Sequence, residues 1–209
     1  MKIHIKLDTG MTRVGYLCGV DDEKITDEIL KISKLPNVYL EGVFSHLSTA
    51  DEKDREYTIK QLNKFNAVCN LIEAKGFKIP IRHIANSAAI MMYPESHFDM
   101  VRAGIILYGF YPSDEVNKEI LPLKKVMTVK SKITRIEEVS KNTGISYSKT
   151  YITDRNTKVA TIPIGYADGY TRLLSGKAKV LVKNQVVDVI GRICMDQCMI
   201  NVTNVNNIQ

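Results

Sequence analysis

The sequence predicts an α/β domain over residues 1–118, followed by a β-rich domain over residues 119–209. Two observations predict this. Over residues 1–110 short strand-like runs alternate with helical patterns. Such alternation implies parallel strands joined by right-handed crossovers. Beyond Lys118 the helical periodicity disappears, and apolar runs separated by turn residues take over. The strand–helix units of the first part fit half of a (β/α)8 barrel or a small doubly wound sheet.

The elements follow in order. Lys2–Leu7 alternates, with Ile3, Ile5 and Leu7 on one side and Lys2, His4 and Lys6 on the other, which predicts a strand. Asp21 and Asp22 offer an N-cap to a helix through Ile25, Ile29, Ile32 and Leu35, which Pro36 and Asn37 end. Tyr39–Ser45 is the second strand. Thr49 and Glu52 have capping-box spacing, predicting a long helix through Ile59, Leu62, Phe65, Val68 and Ile72. Gly76 stands where such a helix ends in a left-handed residue. Ile81–Ala85 is the third strand, with a short helix after Asn86, and Phe98–Arg102 is the fourth strand. Pro112, Ser113, Asp114 and Pro122 mark the domain boundary. Val126–Ile136, Thr157–Ile162, Ala178–Val182 and Gln185–Ile190 then read as strands, with Lys183–Asn184 a two-residue turn.

Composition excludes several classes. No run approaches the roughly 20 apolar residues of a membrane helix. Residues 1–10 alternate rather than form the apolar core of a signal peptide, which predicts a cytoplasmic protein. Cys18, Cys69, Cys194 and Cys198 are scattered without paired spacing and read as reduced thiols. The net charge is +6 and lies in the second part: residues 119–209 hold 14 Lys+Arg against 7 Asp+Glu, whereas residues 1–118 hold 15 against 16. Lys177, Lys179 and Lys183 sit singly, without interleaved aromatics, so the basic part reads as solvated strand faces and not a nucleic-acid surface. It also suits an anionic ligand. His4, His46, His83 and His97 lie on separate elements without zinc-type spacing, so no metal is expected.

In parallel α/β architectures functional residues gather beyond the C-terminal ends of strands. Here the first strand runs into Asp8-Thr-Gly-Met-Thr-Arg13, the second ends in Ser45-His46, the third runs into Asn86-Ser87 and the fourth ends in Arg102-Ala-Gly104. Singly these are a surface cation, a structural histidine or a helix cap. Together, two arginines, a histidine and a serine at a helix start on one rim make an anion site.

The same segments carry a family resemblance. His4-Ile-Lys-Leu-Asp-Thr-Gly-Met-Thr-Arg-Val-Gly15, Ser45-His46 with Thr49-Ala-Asp51, His83-Ile-Ala-Asn-Ser-Ala-Ala89 and Arg102-Ala-Gly-Ile-Ile-Leu-Tyr-Gly109 resemble motifs of pyridoxal-phosphate-dependent alanine racemases. Gly144-Ile-Ser-Tyr147, Pro163-Ile-Gly-Tyr-Ala-Asp-Gly169 and Gly191-Arg-Ile-Cys-Met-Asp196 continue the match in the same order. The resemblance implies the second half of a pyridoxal-phosphate-binding TIM barrel followed by part of the mainly-β domain. It further implies interconversion of L- and D-alanine in a cytoplasmic homodimer that supplies D-alanine for cell-wall peptidoglycan. Racemisation needs a proton removed from one face of an α-carbon and returned to the other, which two opposed acid–base groups achieve. Pyridoxal phosphate delocalises the resulting carbanion.

Residue by residue, the resemblance makes Tyr147 one of the two bases, acting toward the partner subunit's site. A free phenol titrates near about 10, so cationic and hydrogen-bonding neighbours must assist it. The resemblance gives that task to His46, linked to Arg102. Arg102 also faces the cofactor's pyridine nitrogen, where a permanent cation disfavours protonation of the ring. Ser87, Gly104 and Ile105 match the phosphate cradle, and Arg13 the contact to the cofactor's phenolic oxygen and the substrate carboxylate. Lys6 matches a lysine that is carbamylated in some members and holds that arginine. Met195 matches a backbone contact to the substrate carboxylate, and Tyr166 and Arg172 match residues of the entrance.

The family's other base, the cofactor-bearing lysine in a segment like VKANAYGHG, has no counterpart here. The chain reads as a central piece beginning near the fifth barrel strand, inactive alone and prone to aggregate through unpaired strand edges. A serine/alanine racemase and a non-catalytic fragment of the same fold are the alternatives.

Overall fold

The computed structural model describes residues 1–208, in two compact units that meet between Thr128 and Val129. In the first unit β1 (Lys2–Asp8) leads through β2 (Tyr16–Leu17) to α1 (Asp22–Ser33). The chain continues with β3 (Tyr39–Phe44), α2 (Glu56–Ala74), β4 (Ile81–His83) and α3 (Ser87–Met92). The four strands form one parallel sheet in the order β2-β1-β3-β4.

Parallel strands need crossovers, and α1 and α2 supply them with their apolar sides packed on the sheet. Leu7, Ile29, Val43, Phe65, Val68, Cys69, Ile72 and Ile84 are fully buried in this layer. Each large aliphatic or aromatic side chain so buried stabilises the fold by about 1.5–3 kcal/mol. Asp21 caps α1 by accepting from the Lys24 backbone N–H at 3.1 Å, and Asn86 caps α3 by accepting from Ala89 N–H at 3.1 Å. The pairing of β1 with β3 skips one residue: Ile3 faces Leu40 and His4 faces Gly42, so Glu41 is a β-bulge.

Three expectations are corrected. The long helix begins at Glu56, not beside Thr49. The Thr49 hydroxyl is used in a 3.0 Å bond to Thr58 Oγ1 on the helix, while its carbonyl closes a turn to Glu52 N–H. The buried face is accordingly Thr58, Gln61, Leu62, Phe65, Val68, Cys69 and Ile72, with Ile59 exposed. Phe98–Arg102 is not a strand. Phe98 has φ +43°, and the segment reaches the β4 side only through Asp99 N–H to Arg82 O (3.1 Å) and Arg102 N–H to Ala85 O (3.0 Å).

Residues beyond 118 also pack with the first unit, which runs to Thr128. Leu121 and Leu123 pack on Met91, Ile106 and Val116, and Tyr111 OH bonds both the Leu121 carbonyl and the Leu123 N–H. Gly109 (φ +79°) lets the chain return closely: a Cβ there would lie 2.1 Å from Lys124 O.

The second unit contains β5 (Arg135–Val139), β6 (Gly144–Ile145), β7 (Tyr151–Ile152) and β8 (Thr157–Ile162). β9 (Lys179–Val182), β10 (Gln185–Ile190) and β11 (Cys198–Asn201) follow. Five strands form an antiparallel sheet in the order β5-β8-β11-β10-β9, and β6 pairs with β7. Lys183 and Asn184 both have positive φ (46° and 64°), the geometry of a two-residue turn matched to strand twist. The expected strand Val126–Ile136 is corrected: only Arg135 and Ile136 belong to β5, and Val126, Met127 and Val129 are exposed outside the sheet.

Candidate active site

In the first unit the C-terminal ends of β1, β3 and β4 carry a connected polar layer. Asp8 closes the loop after β1, its Oδ1 accepting from the Gly10 and Thr12 N–H groups at 3.0 Å each. Burial pushes its carboxyl up, but those N–H groups and Lys6 outweigh it, so the net shift is below the usual carboxylate value. This loop presents Arg13, which is exposed. Thr9 and Ser45, both buried, join β1 to β3 through their hydroxyls at 2.8 Å. Gln61, buried on α2, supports the turn after β3. Its amide nitrogen donates to His46 O (3.1 Å), and its carbonyl oxygen accepts from the Ser48 N–H (2.9 Å).

Arg102 is the centre of this layer. Its Nη1 donates to His83 Nδ1 (2.6 Å), and the two hydrogens of Nη2 are shared among Ser45 O (2.7 Å), Ile84 O (3.2 Å) and His46 Nδ1 (3.3 Å). Burial lowers its pKa, yet a guanidinium remains protonated at neutral pH. Both histidines consequently stay neutral. Burial first, then the Arg102 charge, pulls His46 and His83 down to about 4. Because arginine only donates, His46 Nδ1 must accept, which leaves the ring's proton on Nε2. His46 is therefore arranged as a donor toward whatever faces Nε2, such as a phenolate. Lys6 lies in the same layer, and burial lowers its pKa, with Arg13 and Arg102 adding to the shift.

Ser87, nearly buried at the start of α3, accepts from the Gly104 N–H at 2.9 Å, so two expected cradle residues are in contact. A Cβ built at Gly104 would meet nothing but Ser87 Oγ within 4 Å, so space is open beside this N–H. Ile105 follows, exposed, at the start of a short 3-10 turn. The Ser87 hydroxyl, which accepts from Gly104 and keeps its own proton to donate, the Ile105 backbone N–H and two arginines are a donor set that fits a phosphorylated pyridine.

The second unit organises its own expected residues around the segment 191–196. Ser146 Oγ donates to Arg192 O at 2.7 Å, anchoring the residue before Tyr147. A Cβ at Gly191 would lie 2.7 Å from Ser146 Cβ, so this approach requires glycine. Tyr166 N–H donates to Cys194 O and Ala167 N–H to Met195 O, both at 3.0 Å. Ile193 N–H donates to Ser175 Oγ (3.0 Å), whose hydroxyl bonds Arg172 O (2.7 Å). Tyr147, Tyr166, Arg172 and Met195 are all exposed on loops tied to this one segment. Tyr147 is bracketed by strained backbone: Ser146, Ser148 and Lys149 all have positive φ. Such conformations persist where surrounding contacts hold them, typically at functional sites.

Sequence reasoning did not single out His83, His4 or Gln61. His4 and His83 stood inside quoted motifs, but their contact crosses an intervening strand. Gln61 carried one signal, a polar residue at helical spacing from Phe65 and Val68 on a buried face.

Comparison with known proteins adds the following. Residues 1–112 match the family model of the alanine racemase N-terminal domain, and residues 126–209 that of the alanine racemase C-terminal domain. The chain is 52% identical over 209 residues to alanine racemase 1 of Clostridium acetobutylicum, covering 100% of this chain and 53% of that protein. It is 52% identical, with the same coverage, to alanine racemase of Clostridium tetani. The solved alanine racemase of Clostridium difficile 630 superposes with TM-score 0.92 at 47% identity, covering 100% of this chain and 53% of that one. The chain thus spans about half the length of the curated relatives it matches.

Proposed function

The chain belongs to the alanine racemase family, and on that premise we propose that it supplies one of the two acid–base groups of a pyridoxal-phosphate-dependent alanine racemase. When bound, the cofactor withdraws electrons from the substrate's α-carbon and so acidifies its proton. The chain's own residues bind, orient and move protons. Ser87, Gly104 and Ile105 hold the phosphate; Arg13 takes the cofactor's phenolic oxygen and the substrate carboxylate; Met195 contributes a backbone contact to that carboxylate. Arg102 sets a permanent cation against the ring nitrogen and keeps it unprotonated. Tyr147 exchanges the α-proton in the partner subunit's site, which makes a homodimer the working unit. His46, with its proton on Nε2, stabilises the deprotonated phenol arriving from the partner. Tyr166 and Arg172 line the entrance, and Lys6 steadies Arg13, by carbamylation where it is modified. The product is D-alanine, the precursor of peptidoglycan.

The observation that carries this reading is the Arg102 cluster. A guanidinium is bonded to two neutral histidines and two carbonyls at the strand ends, beside an open Ser87–Gly104 contact. A carboxylate in place of the arginine would suit the opposite ring chemistry. The test is pyridoxal phosphate absorbance with an alanine racemisation assay on the intact protein that carries this segment. Bound cofactor and racemisation, both weakened in Arg102→Ala, are expected. Racemisation unaffected by Arg102→Ala would overturn the assignment.

A further inference from the structure

We propose that Glu41, His4 and His83 form a one-directional hydrogen-bond relay that fixes the His83 tautomer and thereby holds the Arg102 guanidinium in place. Glu41 and His4 are then positioning residues.

The direction follows from the donor inventory. Arginine has no acceptor, so at 2.6 Å His83 Nδ1 must accept from Arg102. A neutral His83 then carries its proton on Nε2, which lies 2.9 Å from His4 Nδ1. That nitrogen must accept in turn, so His4 carries its proton on Nε2. This atom faces Glu41 Oε2 at 3.4 Å, and Glu41 Oε1 accepts from Lys2 Nζ at 2.6 Å. Every hydrogen bond runs the same way, from Arg102 through His83 and His4 to a carboxylate that only accepts.

The fold is shaped to allow this. His4 on β1 and His83 on β4 are separated by β3. Their rings can meet only because Gly42 leaves a slot: a Cβ there would lie 2.5 Å from His4 Nδ1 and 2.7 Å from Ile81 O. The bulge at Glu41 breaks the strand alternation beside that slot and aims the carboxylate at His4. Phe44 stacks on the His83 ring, interplanar angle 6°, and fixes the plane of that ring. The charged and titratable groups facing the relay are Lys2 and Glu41 at one end and Arg102 at the other, with His46 across the guanidinium.

The tautomer assignment rests on geometry alone; its value to the cofactor rests on the function proposed above. The test uses the intact protein that carries this segment, histidine-labelled with nitrogen-15 and loaded with pyridoxal phosphate. At neutral pH, long-range proton–nitrogen correlation spectra should show Nε2–H tautomers for both His4 and His83. Glu41→Gln, which keeps an acceptor, should preserve this pattern. Glu41→Leu should average the His4 signals between tautomers and weaken pyridoxal phosphate binding about fivefold, the worth of one hydrogen bond. An Nδ1–H tautomer at either ring of the unsubstituted protein, or an unchanged His4 pattern in Glu41→Leu, overturns the relay. Unmeasurable cofactor binding with both Nε2–H tautomers in place would instead defeat the proposed function and support the relay.

Discussion

At the residue scale, the site depends on a cation that never releases its proton and on histidines that do not take one up. Under the proposed function, Arg102→Glu would place an acid beside the cofactor's ring nitrogen and favour its protonation. The expected outcome is more transamination relative to racemisation, read by product analysis of D-alanine against pyruvate; an unchanged ratio contradicts it. The histidines also link stability to pH. His46 and His83 titrate at about 4 in the folded chain, against about 6.5 for a free imidazole. Between these values the unfolded state binds more protons. Their contribution is therefore complete above about pH 6.5 and is lost as pH falls toward 4, with a slope of at most about 1.4 kcal/mol per pH unit for each ring. Urea midpoints measured between pH 7.5 and 4.5 should fall, and less steeply in His46→Gln; a flat profile contradicts this. His46 was legible in the sequence because it follows the end of β3, and Arg102 because of its motif, since the strand expected to end at Arg102 does not form. Their partner His83 was not, because its contacts with His4 and Arg102 depend on register and on the absent Cβ of Gly42.

At the element scale, glycine decides where loops can approach. Gly165→Ala would drive a Cβ to within 2.2 Å of Met195 O and 2.3 Å of Cys194 O, and neither backbone carbonyl can rotate away. This substitution is expected to cost about 2–4 kcal/mol in unfolding experiments. Gly76→Ala, with φ +90° and nothing within 4 Å, should cost only about 1 kcal/mol. Equal costs would contradict the crowding argument. Regular elements were well read where one pattern governed them: Thr157–Ile162 and Gln185–Ile190 match β8 and β10 end for end. Misreadings arose where a side chain had a tertiary partner. Thr49 has the spacing of a helix cap but spends its hydroxyl on Thr58. Phe98–Arg102 has strand-like composition, but Phe98 turns left-handed and Arg102 directs its guanidinium into the site. Central β11 went unread because four residues, Cys198–Asn201, are too short for alternation to stand out.

At the scale of the whole molecule, the first unit exposes Val14, Leu17, Val20, Leu107, Tyr108, Val126 and Met127. Its parallel sheet also ends in β2 and β4, each paired with one strand only, and open strand edges favour association. The 209-residue chain purified alone should therefore self-associate in light scattering; a monodisperse 23.6 kDa monomer would contradict this. The two units divide the proposed chemistry, with Arg102, the histidines and the proposed phosphate cradle on the first and Tyr147 on the second. Domain-scale order was legible because each unit has its own periodicity, while the packing of Leu121 and Leu123 on the first core was not, because it depends on tertiary contacts. The central claim is that Tyr147 is one of two opposed bases. Its most direct measurement is alanine racemisation and α-proton exchange in deuterated water by Tyr147→Phe in the intact, cofactor-loaded protein. The account predicts retained cofactor absorbance, racemisation lowered about 10²–10⁴-fold, and exchange surviving for one enantiomer only. Racemisation by Tyr147→Phe at the unsubstituted rate would contradict it.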